Sequence, residues 1–295
     1  MFIPDTAGKY DDNTDENNGF KERKAWIKQS SNNEFELCGP ICSNFLRSDN
    51  HLAPGNKLSL KFIRAPDEFV FLSPTPDAGY KLKILELAIY ARRIRLFPHA
   101  LNAVFDPRAI QRYVSDYTEI KEYSLPSGLS NWNSKLFTGG YLPKQIVVGM
   151  VETRALVGSY ARNPFNFQHF NVSSINLKVN GVCVPQEPLR PDFPNGRCMR
   201  EYNHLFMNTG KYRINSGNCI SLADFKGGST LFPFDLTPDQ CNMYNIHVGK
   251  EGTMSLEITW STGLPQGITI LVYAVYDQVV MINGMVSDQP TVSVF

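Results

Sequence analysis

The sequence predicts an all-β protein of jelly-roll type, and three observations carry that prediction. Short apolar segments separated by Pro, Gly and Asn recur from Phe35 to the end of the 295-residue chain. Several of them alternate apolar and polar residues with period two, the mark of a strand buried on one face. Helical spacing is confined to two short stretches, which fits helices in the connections of a sandwich rather than an α/β enzyme fold.

Taken in chain order, "GKYDDNTDENNGFKERKAWIKQSSNN" mixes Asp, Asn, Glu, Lys and Ser with few apolar anchors, and predicts a flexible polar segment near 5–33. "NKLSLKFI" then alternates Leu58, Leu60 and Phe62 against Lys57, Ser59 and Lys61, a strand. "YKLKILELAIYARRIRLF" alternates Leu82 and Ile84, then changes phase to Leu85, Leu87, Ile89 and Ala91, so a bulge or bend is expected inside a second strand. "PHALNAVF" opens with Pro98 at a favourable first helical position. In "SSINLKVNGVCV" Ile175, Leu177 and Val179 alternate, and Asn180-Gly181 is the dipeptide that best fits a tight type I′ turn, which predicts a hairpin. "RCMREYNHLFMNTG" places Met199, Tyr202 and Phe206 at helical spacing before a stop at Gly210. In "GTMSLEITW" Met254, Leu256, Ile258 and Trp260 share one face of a half-buried strand. "GLPQG" supplies a turn, and "ITILVYAVYDQVV", apolar on both faces, should be central in its sheet.

Charge and cysteine usage narrow the class further. A formal net charge of +1, from 29 Lys and Arg against 28 Asp and Glu, gives no global attraction to nucleic acid or to an anionic membrane. Six cysteines are too thinly spread for a disulfide framework, and the N-terminus lacks a signal-peptide pattern. A soluble chain with reduced thiols is expected, since the longest apolar runs, such as Ile268 to Val275, are less than half of a membrane span.

Patterns that carry chemistry are scarce. His51, His99, His169, His204 and His247 are each isolated, with no His-x-His pair of the kind a metal-binding cupin uses. Cys38 and Cys42 form the one close cysteine pair, and structural zinc needs a second pair or a Cys/His couple at matching spacing. "KGGST" (Lys226 to Thr230) lacks P-loop spacing and precedes strand-like "LFPFDL", which makes it a turn. No Gly-x-Ser-x-Gly occurs, so no catalytic residue, no metal and no cofactor is expected. The basic cluster "ARRIR" puts Arg93 and Arg95 on one face of a strand and Arg92 on the other. It reads either as a solvated strand end or as a contact for packaged DNA or an acidic neighbour. Asn171-Val172-Ser173 is a glycosylation sequon, expected to go unused without a signal peptide.

One stretch, "RNPFNFQHF", packs Phe165, Phe167 and Phe170 against a Pro164 that cannot pair freely, so an edge or turn is expected there. The rings either plug the sandwich or its junction with a neighbouring jelly roll, at about 1.5–3 kcal/mol for each ring fully buried, or line a pocket for an aromatic or sugar ligand.

Six segments in order, "YLPKQIVVGMVET", "NPFNFQHFNVSSINLKVNG", "PLRPDF", "REYNHLFMNTGK", "FPFDLTPD" and "LPQGITILVYAVYDQVVMING", resemble the major capsid proteins of Polinton (Maverick) elements and the related adintoviruses. The resemblance runs from about Gly19 to about Asn283. It implies a double jelly roll of the adenovirus-type lineage, with residues 1–111 the C-terminal part of a first jelly roll that lacks its opening strands and residues 112–295 the second. It also implies self-association into trimers and an icosahedral shell, a penton-type minor capsid protein as partner, no membrane span, and a virion location for an active element. For a transposon-derived remnant an intracellular location is expected instead. With the opening strands missing, unpaired edges and exposed Leu58, Leu60 and Phe62 would favour irregular aggregation. A host-retained β-sandwich binding module for carbohydrate or protein is the alternative.

Overall fold

The computed structural model describes residues 3–47, 51–52, 54, 58–75, 79–104, 110–212, 217–237, 250–283 and 291–294. Nine strands are found among them: β1 (Ile110–Leu125), β2 (Asn131–Tyr141), β3 (Gln145–Glu152), β4 (Val172–Val179), β5 (Val182–Leu189), β6 (Leu231–Asp235), β7 (Glu251–Trp260), β8 (Ile268–Asn283) and β9 (Thr291–Val294). The helices are short: α1 (Asn18–Ile27), α2 (Asp67–Val70), α3 (Pro98–Val104), α4 (Thr153–Val157), α5 (Met199–Met207) and α6 (Leu222–Gly227).

The strands form two sheets, with orders β1-β8-β3-β6 and β2-β7-β4-β5, and β9 adds to β8. Strand β1 therefore neighbours β8, β2 neighbours β7, β3 neighbours β6 and β4 neighbours β5. That nesting is an eight-stranded antiparallel ribbon folded over into two sheets, the jelly roll. Neither sheet closes on itself, so β1 and β6 end one sheet and β2 and β5 the other.

Registers show why the sequence chooses this arrangement. Phe234, Ile146 and Ala274 lie in one cross-strand row, and Phe232, Val148 and Val272 in the next. In the other sheet Leu177 faces Leu256 and Ile175 faces Ile258. All ten of these side chains are essentially fully buried and belong to one core. Alternation in β7 buries Met254, Leu256, Ile258 and Trp260 as the sequence predicts. Central placement of β8 agrees as well, because it pairs with β1, β3 and β9. The β4–β5 hairpin turns at Asn180 (φ 51°) and Gly181 (φ 83°), both in the left-handed region that a type I′ turn requires.

Two compact units divide the chain. One comprises residues 1–39, 65–80 and 118–276, and the other residues 40–64, 81–117 and 277–295.

Two expectations are corrected, and one is met. The polar segment near 5–33 is not a featureless tail: it holds α1, capped by Asn17, whose side chain accepts hydrogen bonds from the Gly19 and Phe20 amides. The strands expected over 56–63 and 80–97 are absent among the described residues, which carry no strand before Ile110. Alternation makes a segment competent to pair, but pairing needs a partner edge that local sequence does not supply. Helix α5 forms where expected, yet Met199 is exposed, and the buried positions are Glu201 and Leu205. The Glu201 carboxylate accepts the Arg190 amide, which compensates its burial.

Candidate functional site

Within the first unit, the N-terminal segment is fastened to loops at one end of the sandwich. Asn17, with no solvent exposure, is its hub. Besides capping α1, its side chain accepts the Thr6 amide at 3.1 Å and donates to the carbonyls of Lys9 at 2.9 Å and Asp12 at 3.2 Å. Arg23 pairs with Asp5 at 2.6 Å and donates to the Ile3 carbonyl. The segment thereby folds back along its own helix.

Its outer side meets the sandwich. The Gly8 amide donates to the Gly227 carbonyl at 2.9 Å, and the Tyr10 hydroxyl lies 3.0 Å from Ser229 Oγ. One Asp11 oxygen accepts the Asn163 amide and the other the Asn166 side chain, each at 2.7 Å. Asn13 donates to the Ser73 carbonyl, and the Ser73 amide donates to that of Tyr160. Close approach is possible because positions 227 and 228 lack side chains. A Cβ on Gly228 would stand 2.5 Å from the Tyr10 ring and 2.8 Å from Asn166 Oδ1, and one on Gly227 would meet the Gly8 backbone. "KGGST" is thus the seat of the N-terminal segment as well as a turn. It also closes α6, whose capping box (Ser221 with Asp224) is visible in the sequence as a Ser three residues before an Asp.

The aromatic stretch divides its rings. Phe167 lies over Gly149 of β3, where a Cβ would come within 2.8 Å of the ring, and Phe170 packs against the core. Phe165 does neither. Its amide donates to Asn163 Oδ1, and the resulting turn aims the ring outward, 63 % exposed and edge-on to Phe69. The expected three-ring plug is therefore corrected to two rings. Pro164 stands in a turn, as expected.

Among the described residues, no three His, Cys, Asp or Glu side chains group to hold a metal ion. Cys38 and Cys42 are exposed free thiols. His51 and His99 are exposed, and His99 stacks with Phe97. His247 and Cys241 lie outside the described residues. His169 stacks on Phe193 at 4.0 Å and accepts the Asn171 amide at Nδ1, while burial pushes its pKa down. This is a packed neutral imidazole.

His204 on α5 is the strongest case of that kind. Burial, and then the Arg200 guanidinium one turn away, push its pKa down to about 4 from an ordinary 6.5. Because the folded value is depressed, stability is complete above about pH 6.5 and falls as pH drops toward 4, when the unfolded chain binds a proton that the folded chain refuses. The loss is on the order of 3 kcal/mol. Urea midpoints at pH 7 and pH 4.5 should differ much less in His204→Leu than in the native chain. Equal losses in both would assign the acid sensitivity to other groups.

In the second unit, residues 84–97 are exposed at every position, including Ile84, Leu85, Leu87, Ile89, Tyr90 and Phe97. Leu58, Leu60 and Phe62 are exposed as well. Arg92, Arg93 and Arg95 stand on this surface with no ion pair among the described residues. No helix among the described residues is long and apolar enough to cross a membrane.

No protein-family model matches the chain. An uncharacterized protein of Caenorhabditis elegans is 23 % identical over 240 residues, which cover 78 % of this chain and 57 % of that protein's length. Among solved structures, the cryo-EM structure of the Sputnik virophage is similar over 64 % of this chain and 39 % of that one, with 12 % identity and a TM-score of 0.40. The crystal structure of the mavirus major capsid protein is similar over 63 % of this chain and 41 % of that one, with 9 % identity and a TM-score of 0.34.

Proposed function

We propose that the chain is a structural subunit of a protein shell, the major capsid protein of a Polinton-type element or its genomic remnant. The observation that carries this reading is the strand order β1-β8-β3-β6 over β2-β7-β4-β5 in a chain whose motif order resembles that family. A jelly roll alone also serves lectins and cupins, so the fold by itself does not select the role. The ordered set of six motifs supports the choice. Four of them carry sandwich strands: "YLPKQIVVGMVET" spans β3, "NPFNFQHFNVSSINLKVNG" contains β4, "FPFDLTPD" begins on β6, and "LPQGITILVYAVYDQVVMING" covers β8.

In this reading the chain makes no bond and breaks none; its activity is association. Residues 112–295 correspond to the second jelly roll of that family and residues 1–111 to the closing part of the first, which forms no strand before Ile110 among the described residues. Further copies are the principal partner, as trimers that tile an icosahedral shell with a penton-type protein at its vertices, and the virion is the location. The exposed arginines at 92, 93 and 95 are available to an acidic neighbour or to packaged DNA.

Light scattering on the eluting protein tests the reading. A 33.3 kDa chain should elute at multiples of its mass, with apparent size rising with concentration. A protease-resistant monomer at every concentration would favour the free-standing binding module instead.

A further inference from the structure

Two exposed segments of this chain carry matching patterns. Residues 34–37 read Glu-Phe-Glu-Leu and residues 93–96 read Arg-Ile-Arg-Leu. Neither lies in a helix or strand, and neither has a backbone strand partner among the described residues. In an extended chain the charged side chains of each would share one side and the apolar ones the other. The two carboxylates then have the same two-residue spacing as the two guanidinium groups.

The surroundings of the acidic segment fit a basic partner. Glu34, Phe35 and Glu36 line a surface groove with Trp26, Gln29 and Cys38. Trp26 and Phe35 pack at 5.6 Å between ring centroids and 58° between planes, with Trp26 39 % exposed. Aromatic faces beside carboxylates are the surroundings a guanidinium stacks on and pairs with. Neither glutamate forms an ion pair among the described residues.

Charge is divided in the same sense. Residues 40–64, 81–117 and 277–295 hold eleven Lys and Arg against six Asp and Glu, a formal +5. The remainder holds eighteen against twenty-two, a formal −4. A chain of net charge near zero is thus strongly polar in its charge, a distribution that favours contact between unlike surfaces of two copies.

We infer that the segment around Arg93–Leu96 of one copy docks as an added strand on the Glu34–Leu37 groove of another. Glu34 and Glu36 face Arg93 and Arg95 on one side of the pairing, and Phe35 and Leu37 cover Ile94 and Leu96 on the other. Such a contact joins two different surfaces, so it propagates head to tail and closes as a ring where the rotation allows. The inference rests on the self-association proposed above and names the surfaces that carry it.

Charge reversal tests it on the full chain. The double variants Glu34→Lys/Glu36→Lys and Arg93→Glu/Arg95→Glu change only exposed side chains, and unchanged near-ultraviolet dichroism checks their folding. Each alone should self-associate at least tenfold more weakly than the native chain in sedimentation at low salt. An equimolar mixture should recover association, because each variant then offers the surface the other lacks. Native association that is insensitive to both reversals, or reversals that weaken it without rescue in the mixture, overturns the inference and leaves the shell-subunit reading standing. A native chain that stays monomeric overturns both.

Discussion

Phe225→Ala should lower the unfolding free energy by about 3–5 kcal/mol, the largest effect expected of any single substitution in this chain. Phe225 sits on α6 with no solvent exposure. Its ring contacts those of Phe193 at 6.1 Å, Tyr202 at 5.6 Å and Phe232 at 6.3 Å. One side chain thereby joins α6, α5, β6 and the loop before α5. Removal leaves a cavity among rings held by three other parts of the chain, so collapse around it is limited. The comparison is a urea midpoint for native and variant at unchanged slope. A loss below about 1 kcal/mol would show that the cluster repacks, and that α6 is not a keystone of this end of the sandwich.

Asn17→Ala should release the N-terminal segment while leaving the sandwich folded. The substitution removes a helix cap and strands the Thr6 amide and the Asp12 carbonyl, while the Lys9 carbonyl keeps the Asp12 amide as its partner. Loss of the cap costs about 1 kcal/mol, and the two half-buried backbone groups left without a partner add about 1 kcal/mol more. That sum exceeds what a short segment held mainly by polar contacts can withstand, so local opening replaces partial repair. Amide exchange is the direct measurement: residues 6–20 should lose protection, and β3, β7 and β8 should keep theirs. Gly228→Val attacks the same contact from the sandwich side, since its side chain would occupy the place of the Tyr10 ring. Protection at residues 6–20 that survives both substitutions would mean the segment is held by contacts other than these.

These two sites were unequally legible. Aromatic residues dense enough to build a cluster around Phe225 are visible in the sequence, but which rings meet is decided by strands and helices far apart in the chain. The N-terminal contact left still less trace. Asn, Asp and Thr in a polar run look the same whether they bond to water or to loops some 150 residues away, because hydrogen bonding imposes no periodicity on sequence. Only the Gly227-Gly228 pair hinted at a close approach, and two glycines in a turn have a simpler explanation.

Sequence alone determined the class and most of the sandwich. Period two in Met254–Trp260, the Asn180-Gly181 turn and the two-faced apolar run from Ile268 each specify a local geometry that depends on near neighbours. Burial on a sheet face then enforces register, because a slip of one residue would turn Leu256 and Ile258 to solvent. Tertiary structure alone decided which strands are neighbours, where the polar N-terminus binds, and that residues 84–97, as strand-like as any in the chain, stand without a sheet around them. The physical reason is the same in each case: alternation and turn chemistry are local, whereas a strand's partner edge and a polar group's partner atom are supplied by distant residues, and no single segment records them.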